Sequence, residues 1–240
     1  MPKVAQRGRH FWIVNLVALA LVGCQGHHAP VAEEREAPVL SLFDGETLAG
    51  WVTRDGTSVA NGWAVEDGCI ARVAHGGGDI LTAEAFEDFE LAFEWKVTSG
   101  VNSGVKYRVR RYNGEPIGPE YQIIDEAGAR PAPRSETGSL YALYETSRER
   151  RLNPPSRWNR ARVAARGSHL EHWVNGVKVL EAETDSAAWT ARLAASKFKG
   201  RSGFGTGPGP IMLTDHAPGS KSAEPDKVWF RHLTLRRLRP

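Results

Sequence analysis

From residue 89 to residue 97 the chain alternates without a break. Phe89, Leu91, Phe93, Trp95 and Val97 fall on one side, and Glu90, Ala92, Glu94 and Lys96 fall on the other. A period of two is that of an extended strand, whose successive side chains point to opposite faces. These nine residues therefore predict a strand with one dry and one wet face. The same period recurs in Val105, Tyr107 and Val109, separated by Lys106, Arg108 and Arg110, and again from Val228 to Leu238. In HLEHWVNGVKVL (169–180), Asn175-Gly176 sits between two β-branched or aromatic stretches, and both turn positions require positive φ, the strongest hairpin signal in the chain. Strands at this spacing with turn residues between them predict an all-β chain, an antiparallel β-sandwich of jelly-roll type whose last strand pairs with an early one. One short helix is expected, with Asp185 or Ser186 as N-cap and Trp189 and Leu193 on one face.

The N-terminal residues follow a different rule. Lys3, Arg7 and Arg9 precede an apolar run from Phe11 to Val22, the layout of an export leader over residues 1–23. That run is shorter than the roughly 20 apolar residues that cross a bilayer. It ends in Leu21-Val22-Gly23-Cys24, similar to the bacterial lipobox, so Cys24 is the expected lipidation site and the membrane the expected partner through that lipid. Residues 24–38, with Pro30, Pro38 and the Glu33-Glu34-Arg35-Glu36 run, read as a solvated tether, and residues 39–240 as one domain. The expected location is a bacterial cell envelope, with the outer membrane or periplasmic face favoured.

Composition removes several function classes. The chain has two cysteines, so with Cys24 acylated Cys69 has no partner, which excludes a disulfide framework and a multi-thiolate zinc site. Cys69 reads as a small half-buried strand residue. Part of the formal charge of +3 lies in the leader, and the rest of the chain is close to neutral, with no basic stripe for nucleic acid. Gly76-Gly77-Gly78 lacks the Lys-Ser/Thr and helix of a phosphate loop, and no Ser sits in a GxSxG elbow.

The polar residues with chemical potential come from separate places. Glu120 and Gln122 share one face of the stretch Gly118 to Asp125. Glu94 lies on its own strand, Asn102 in the turn after it, His172 beside Trp173, Lys197 after the helix, and Asp215-His216 before the last strand. Each has an ordinary structural explanation when taken singly.

Taken in order, the residues resemble a family. Leu42-Phe43-Asp44-Gly45 with Leu48, Gly50 and Trp51, then Trp63, Val65 and Glu66-Asp67-Gly68, Phe89-Glu90-Leu91 with Glu94-Trp95, and Asn102-Ser103-Gly104 are similar to the 3-keto-disaccharide hydrolase domain. So are Gly118 to Gln122, Trp158-Asn159, Glu171-His172-Trp173, Asn175-Gly176, Asp215-His216 and Val228 to Arg231. The resemblance covers nearly all of residues 40–239. It implies a concanavalin A-like jelly roll, often on a bacterial lipoprotein, acting on an oligosaccharide or glycoside whose C3 hydroxyl is oxidised to a ketone. There are departures: Ala129-Arg130 stands where many relatives have a His, and an extra loop runs from Ala217 to Asp226.

Two mechanisms fit such a substrate. A pair of carboxylates, Glu94 and Glu120, can flank the glycosidic oxygen as in ordinary glycosidases. Alternatively the keto group acidifies the C2 hydrogen, so that a base removes it, the C1 substituent is expelled and water adds. The favoured expectation is the second route, with Glu120 or His172 as base and Lys197, Gln122 or a divalent cation stabilising the enolate. Asp125, Asp215 and His216 are the expected ligands for such a cation. Asn102, Gln122, Tyr141 and Asn159 are the expected substrate contacts. The competing class is a sugar-binding module without catalysis.

Overall fold

The computed structural model describes residues 37–127, 130–216 and 226–239. The expected leader, Cys24 and all but the end of the expected tether lie outside these residues, as do residues 217–225 of the extra segment. No helix among the described residues is long and apolar enough to cross a membrane.

Among the described residues fifteen strands and one α-helix follow one another in the order β1 (Val39–Ser41), β2 (Trp51–Thr53), β3 (Trp63–Glu66), β4 (Cys69–Arg72), β5 (Ile80–Thr82), β6 (Phe89–Val97), β7 (Asn102–Lys106), β8 (Arg110–Tyr112), β9 (Glu115–Ile117), β10 (Glu120–Ile124), β11 (Asn159–Arg166), β12 (His169–Val174), β13 (Val177–Glu183), α1 (Ala187–Ala194), β14 (Met212–Leu213) and β15 (Val228–Arg237), with a short 3-10 turn at Pro133–Ser135. Eight form one antiparallel sheet in the order β13-β12-β11-β6-β15-β4-β3, with β1 also on β15. Five form the second sheet, β10-β7-β14-β5-β2, and β8 and β9 make a small hairpin. The fold is the antiparallel jelly-roll sandwich that the alternation predicts.

The predicted local signals hold in detail. Every second residue of β6 from Phe89 to Val97 is buried. β12 and β13 meet at Asn175 and Gly176, both at positive φ. Ser186 caps α1 by accepting from the Trp189 amide at 3.0 Å, and Trp189 is buried. β15 pairs with β6 along its length and with β4 and β1 on its other side. Cys69 is a buried residue of β4, as its setting suggested, though more enclosed than half-buried. Between the sheets Phe93 meets Tyr121 edge-on at 5.6 Å, and Phe89 meets Tyr107 in the same way at 6.1 Å. Both contacts place the apolar faces of β6 and of the β7–β10 side against each other.

Two expectations fail on packing. The strand predicted through Val105, Tyr107 and Val109 stops at Lys106, because Arg108 takes a φ of 47° and turns its side chain inward. Its guanidinium, 1% exposed, donates to the carbonyls of Glu87, Gly167 and Gly205 and to Asp88 at 2.8–3.0 Å. His172 is the second. It shares the buried face of β12 with Leu170 and Val174, while Trp173 lies on the opposite face. A carbonyl can only accept, so His172 Nδ1 donates to Gly138 O (3.0 Å) and Nε2 accepts from the Tyr107 hydroxyl (2.9 Å). A fully enclosed imidazole with both nitrogens engaged cannot act as a base on a substrate.

Burial pushes the His172 pKa down to about 4, with the Gly138 and Ser139 backbone bonds opposing. The ring is therefore neutral in the fold, whereas in the unfolded chain it protonates near 6.5. Stability is unaffected above that value and falls as pH drops toward 4, by about 3 kcal/mol in total. Urea denaturation at stepped pH should show this loss, and His172→Gln should flatten it; an unchanged slope in the variant would assign it to another group.

Candidate active site

β10 is the edge strand of the five-stranded sheet, and it carries the densest chemistry in the chain. Tyr121 and Ile123 point into the core, so Glu120 and Gln122 point to the face turned away from the eight-stranded sheet. Pairing with β7 sets Glu120 opposite Lys106 and Gln122 opposite Gly104. Gly104 matters because a Cβ there would overlap Glu120 Oε1; without one, the glutamate side chain lies flat across the neighbouring strand. The outer edge of β10 is closed by a following segment, in which the Tyr141 amide donates to Glu120 O and the Gly138 amide to Gln122 O.

Around Glu120 the basic side chains gather. His216, three residues beyond β14, places Nε2 2.8 Å from Glu120 Oε1. Lys106 reaches toward Asp79 at 4.0 Å, and Lys197 sits 4.2 Å above the Tyr141 ring. Glu120 is only 3% exposed. Burial pushes its carboxyl up, yet the His216 hydrogen bond and the charges of Lys106, His216 and Lys197 outweigh it and hold the group below the usual glutamate range. The result is a desolvated carboxylate, ionised at neutral pH and flanked by ammonium groups. Beside it Gln122 Nε2 donates to Asn102 Oδ1 at 2.9 Å, while Gln122 Oε1 is buried without a partner among the described residues.

Glu120, Gln122, Asn102, Lys197, Tyr141 and His216 are therefore brought to one region, with His216 as the carboxylate's partner. Lys106 was missed. It stands in the sequence as one of several wet-face cations, and only the β7–β10 register sets it opposite Glu120.

The other candidates fall elsewhere. Glu94 alternates with Phe93 and Trp95 and so faces outward from the eight-stranded sheet, bound to Arg160 (3.0 Å) and Arg231 (2.8 Å). The whole sandwich separates it from Glu120, so the two carboxylates cannot flank one bond and the ordinary glycosidase pairing is overturned. Asn159 is 1% exposed and uses its side chain to hold Asn153 and Asn175, which leaves nothing for substrate. His172 lies in the core.

The expected metal set also fails to assemble. Asp125 sits at the far end of β10, about 16 Å from Glu120 at strand rise, and accepts from the amides of Gly100 (2.8 Å) and Ala127 (2.9 Å). Asp215 accepts from the amides of Gly76 (3.0 Å) and Gly78 (3.1 Å) and meets His75. The glycine-rich loop thus does bind an anion with its backbone, but one from its own chain. With both aspartates engaged in separate turns, Asp125, Asp215 and His216 cannot hold one ion. Among the described residues the ligand atoms of His169, Glu171 and Glu181 do converge, and there the Lys178 ammonium already bridges both carboxylates at 3.1 and 2.5 Å.

The sequence profile of the 3-keto-alpha-glucoside-1,2-lyase-like domain matches residues 39–236. The chain belongs to that family. Membership places the domain among glycoside-processing proteins and covers every strand except the last residue of β15. Among relatives of the 3-keto-alpha-glucoside-1,2-lyase-like family, a 3-keto-disaccharide hydrolase of Bacteroides thetaiotaomicron is 30% identical over 235 residues, covering 83% of this chain and 78% of the relative. A crystal structure from Parabacteroides distasonis, provisionally named a glycosyl hydrolase, superposes with a TM-score of 0.72 at 29% identity, covering 84% of this chain and 94% of that one. A second structure from the same organism gives 0.60 at 25% identity, over 83% of this chain and 84% of that one.

Proposed function

We propose that this domain cleaves 3-keto-glycosides, 3-keto-disaccharides among them, by elimination followed by hydration. The observation that carries the reading is Glu120, a buried carboxylate kept ionised between Lys106, Lys197 and His216. The family and the hydrolase relative supply the substrate class.

Glu120 takes the C2 proton, and the electron pair moves into the C3 carbonyl to give an enolate. An ammonium beside it, Lys106 or Lys197, offsets the charge that develops on that oxygen. As the carbonyl re-forms the C1–O bond breaks. The leaving oxygen takes a proton from a neighbouring ammonium or from water. Water then adds at C1, restoring that proton to the site, and the Glu120 carboxyl, after exchanging its proton with solvent, protonates C2. The sum is hydrolysis. Asn102, Gln122 and Tyr141 line the same region and are the proposed contacts for the sugar. The lipobox-like Leu21-Val22-Gly23-Cys24 supports an envelope location with a lipid on Cys24.

The test is a panel of 3-keto-disaccharides and their unoxidised parents in deuterated water, with free sugar measured and the products examined by mass and NMR. Release from the keto substrates alone, with deuterium at C2, is expected. Equal release from the parents would overturn the reading, and binding without release would make the domain a sugar-binding module.

A further inference from the structure

The Glu120–His216 contact depends on where the His216 backbone is held, and that backbone belongs to no strand. Its carbonyl is bound by Arg72, the last residue of β4. The Arg72 side chain is fully buried. Its Nη1 lies 3.1 Å from His216 O and 3.5 Å from Asn102 O, and its Nη2 lies 2.9 Å from Asp226 O. The same guanidinium faces Asp215 at 3.5 Å and Asp226 at 3.2 Å. His75 joins these two carboxylates from the other side.

We infer that Arg72 is a positioning residue for the catalytic carboxylate, acting through His216. It bonds the backbone carbonyls of Asn102 and His216, not the side chains that these residues turn to Gln122 and Glu120. One planar fork fixes the backbone on which His216 stands, the carbonyl of Asn102, whose side chain accepts from Gln122, and the backbone of Asp226. A point charge of the same sign cannot reproduce three directed bonds. Buried carboxylates on two sides hold the fork in place, so a loss of its bonds displaces the histidine with respect to Glu120, and small displacements of a catalytic pair are expensive.

This inference rests on Glu120 being the base, and the experiment keeps the two claims apart. Arg72→Lys, His216→Gln, their double variant and Glu120→Gln are compared in kcat and KM on a 3-keto-disaccharide, with folded fractions set by denaturation. Arg72→Lys is expected to lower kcat roughly 10- to 100-fold with KM within about threefold. In the His216→Gln background it should cause no further loss. Should Arg72→Lys give no folded protein, Asp226→Asn, which removes one of the two carboxylates holding the fork, is expected to lower kcat several-fold in the same pattern. Unchanged kcat per folded molecule, a loss confined to KM, or losses that multiply in the double variant would overturn the role. If Glu120→Gln loses turnover while Arg72→Lys keeps it, only the role of Arg72 falls; if Glu120→Gln keeps turnover, the base assignment falls and this role with it.

Discussion

Glu120→Gln is expected to lower kcat about 10³-fold with KM within a few-fold, since a positioned general base contributes 10²–10⁴. The substitution is close to isosteric, so the side chain still lies over Gly104 and still meets His216 Nε2. What it loses is the ability to take a proton. The wild-type base should also work into acid: its carboxyl is held below the usual range, so it stays ionised until pH falls past that depressed value. Steady-state kinetics on a 3-keto-disaccharide decide the matter. A variant within tenfold of wild type would remove Glu120 from the mechanism, and a rise in KM alone would make it a binding group.

The largest structural effect is expected at Arg108. Arg108→Met should destabilise the domain by about 3–5 kcal/mol, the range for breaking a buried charge pair by removing one partner. Methionine fills much of the space but strands the Glu87, Gly167 and Gly205 carbonyls and leaves Asp88 with only the Gly167 amide of those two partners. A domain holds roughly 5–15 kcal/mol in all, so the change takes a large share of it. Urea denaturation should show a lower midpoint at an unchanged slope. A midpoint within a few tenths molar of wild type would mean that the three carbonyls find water instead.

Much of the sandwich was legible because alternation reports burial one strand at a time. β6 could be read residue by residue, and so could the Asn175-Gly176 hairpin and the alternation of β15, while the helix cap was narrowed to Asp185 or Ser186 and falls on Ser186. Alternation is blind, however, to which sheet a strand joins. Glu94 and Glu120 each read as outward-facing, and both are, but from opposite layers. The same blindness hid Lys106, whose neighbour across the sheet is set by a register that no local pattern encodes. His172 is a different case, for its signal was present: Leu170, His172 and Val174 share a face, and taking the histidine with its sequence neighbour Trp173 overrode the period. Arg108 broke the pattern through a single left-handed residue, which alternation over Lys106, Arg108 and Arg110 could not foresee.

The place of β15 bears on how the chain is made. It stands between β6 on one flank and β4 with β1 on the other, yet among the described strands it comes last in chain order. Until its residues leave the ribosome, the two parts of the larger sheet have no seam, and the strands flanking the gap present open backbone edges. Completion must wait for contacts between residues nearly 200 positions apart, Val39 with Arg236 among them, a topology that folds slowly. Removing β15 would consequently take away the middle of the sheet and not its rim.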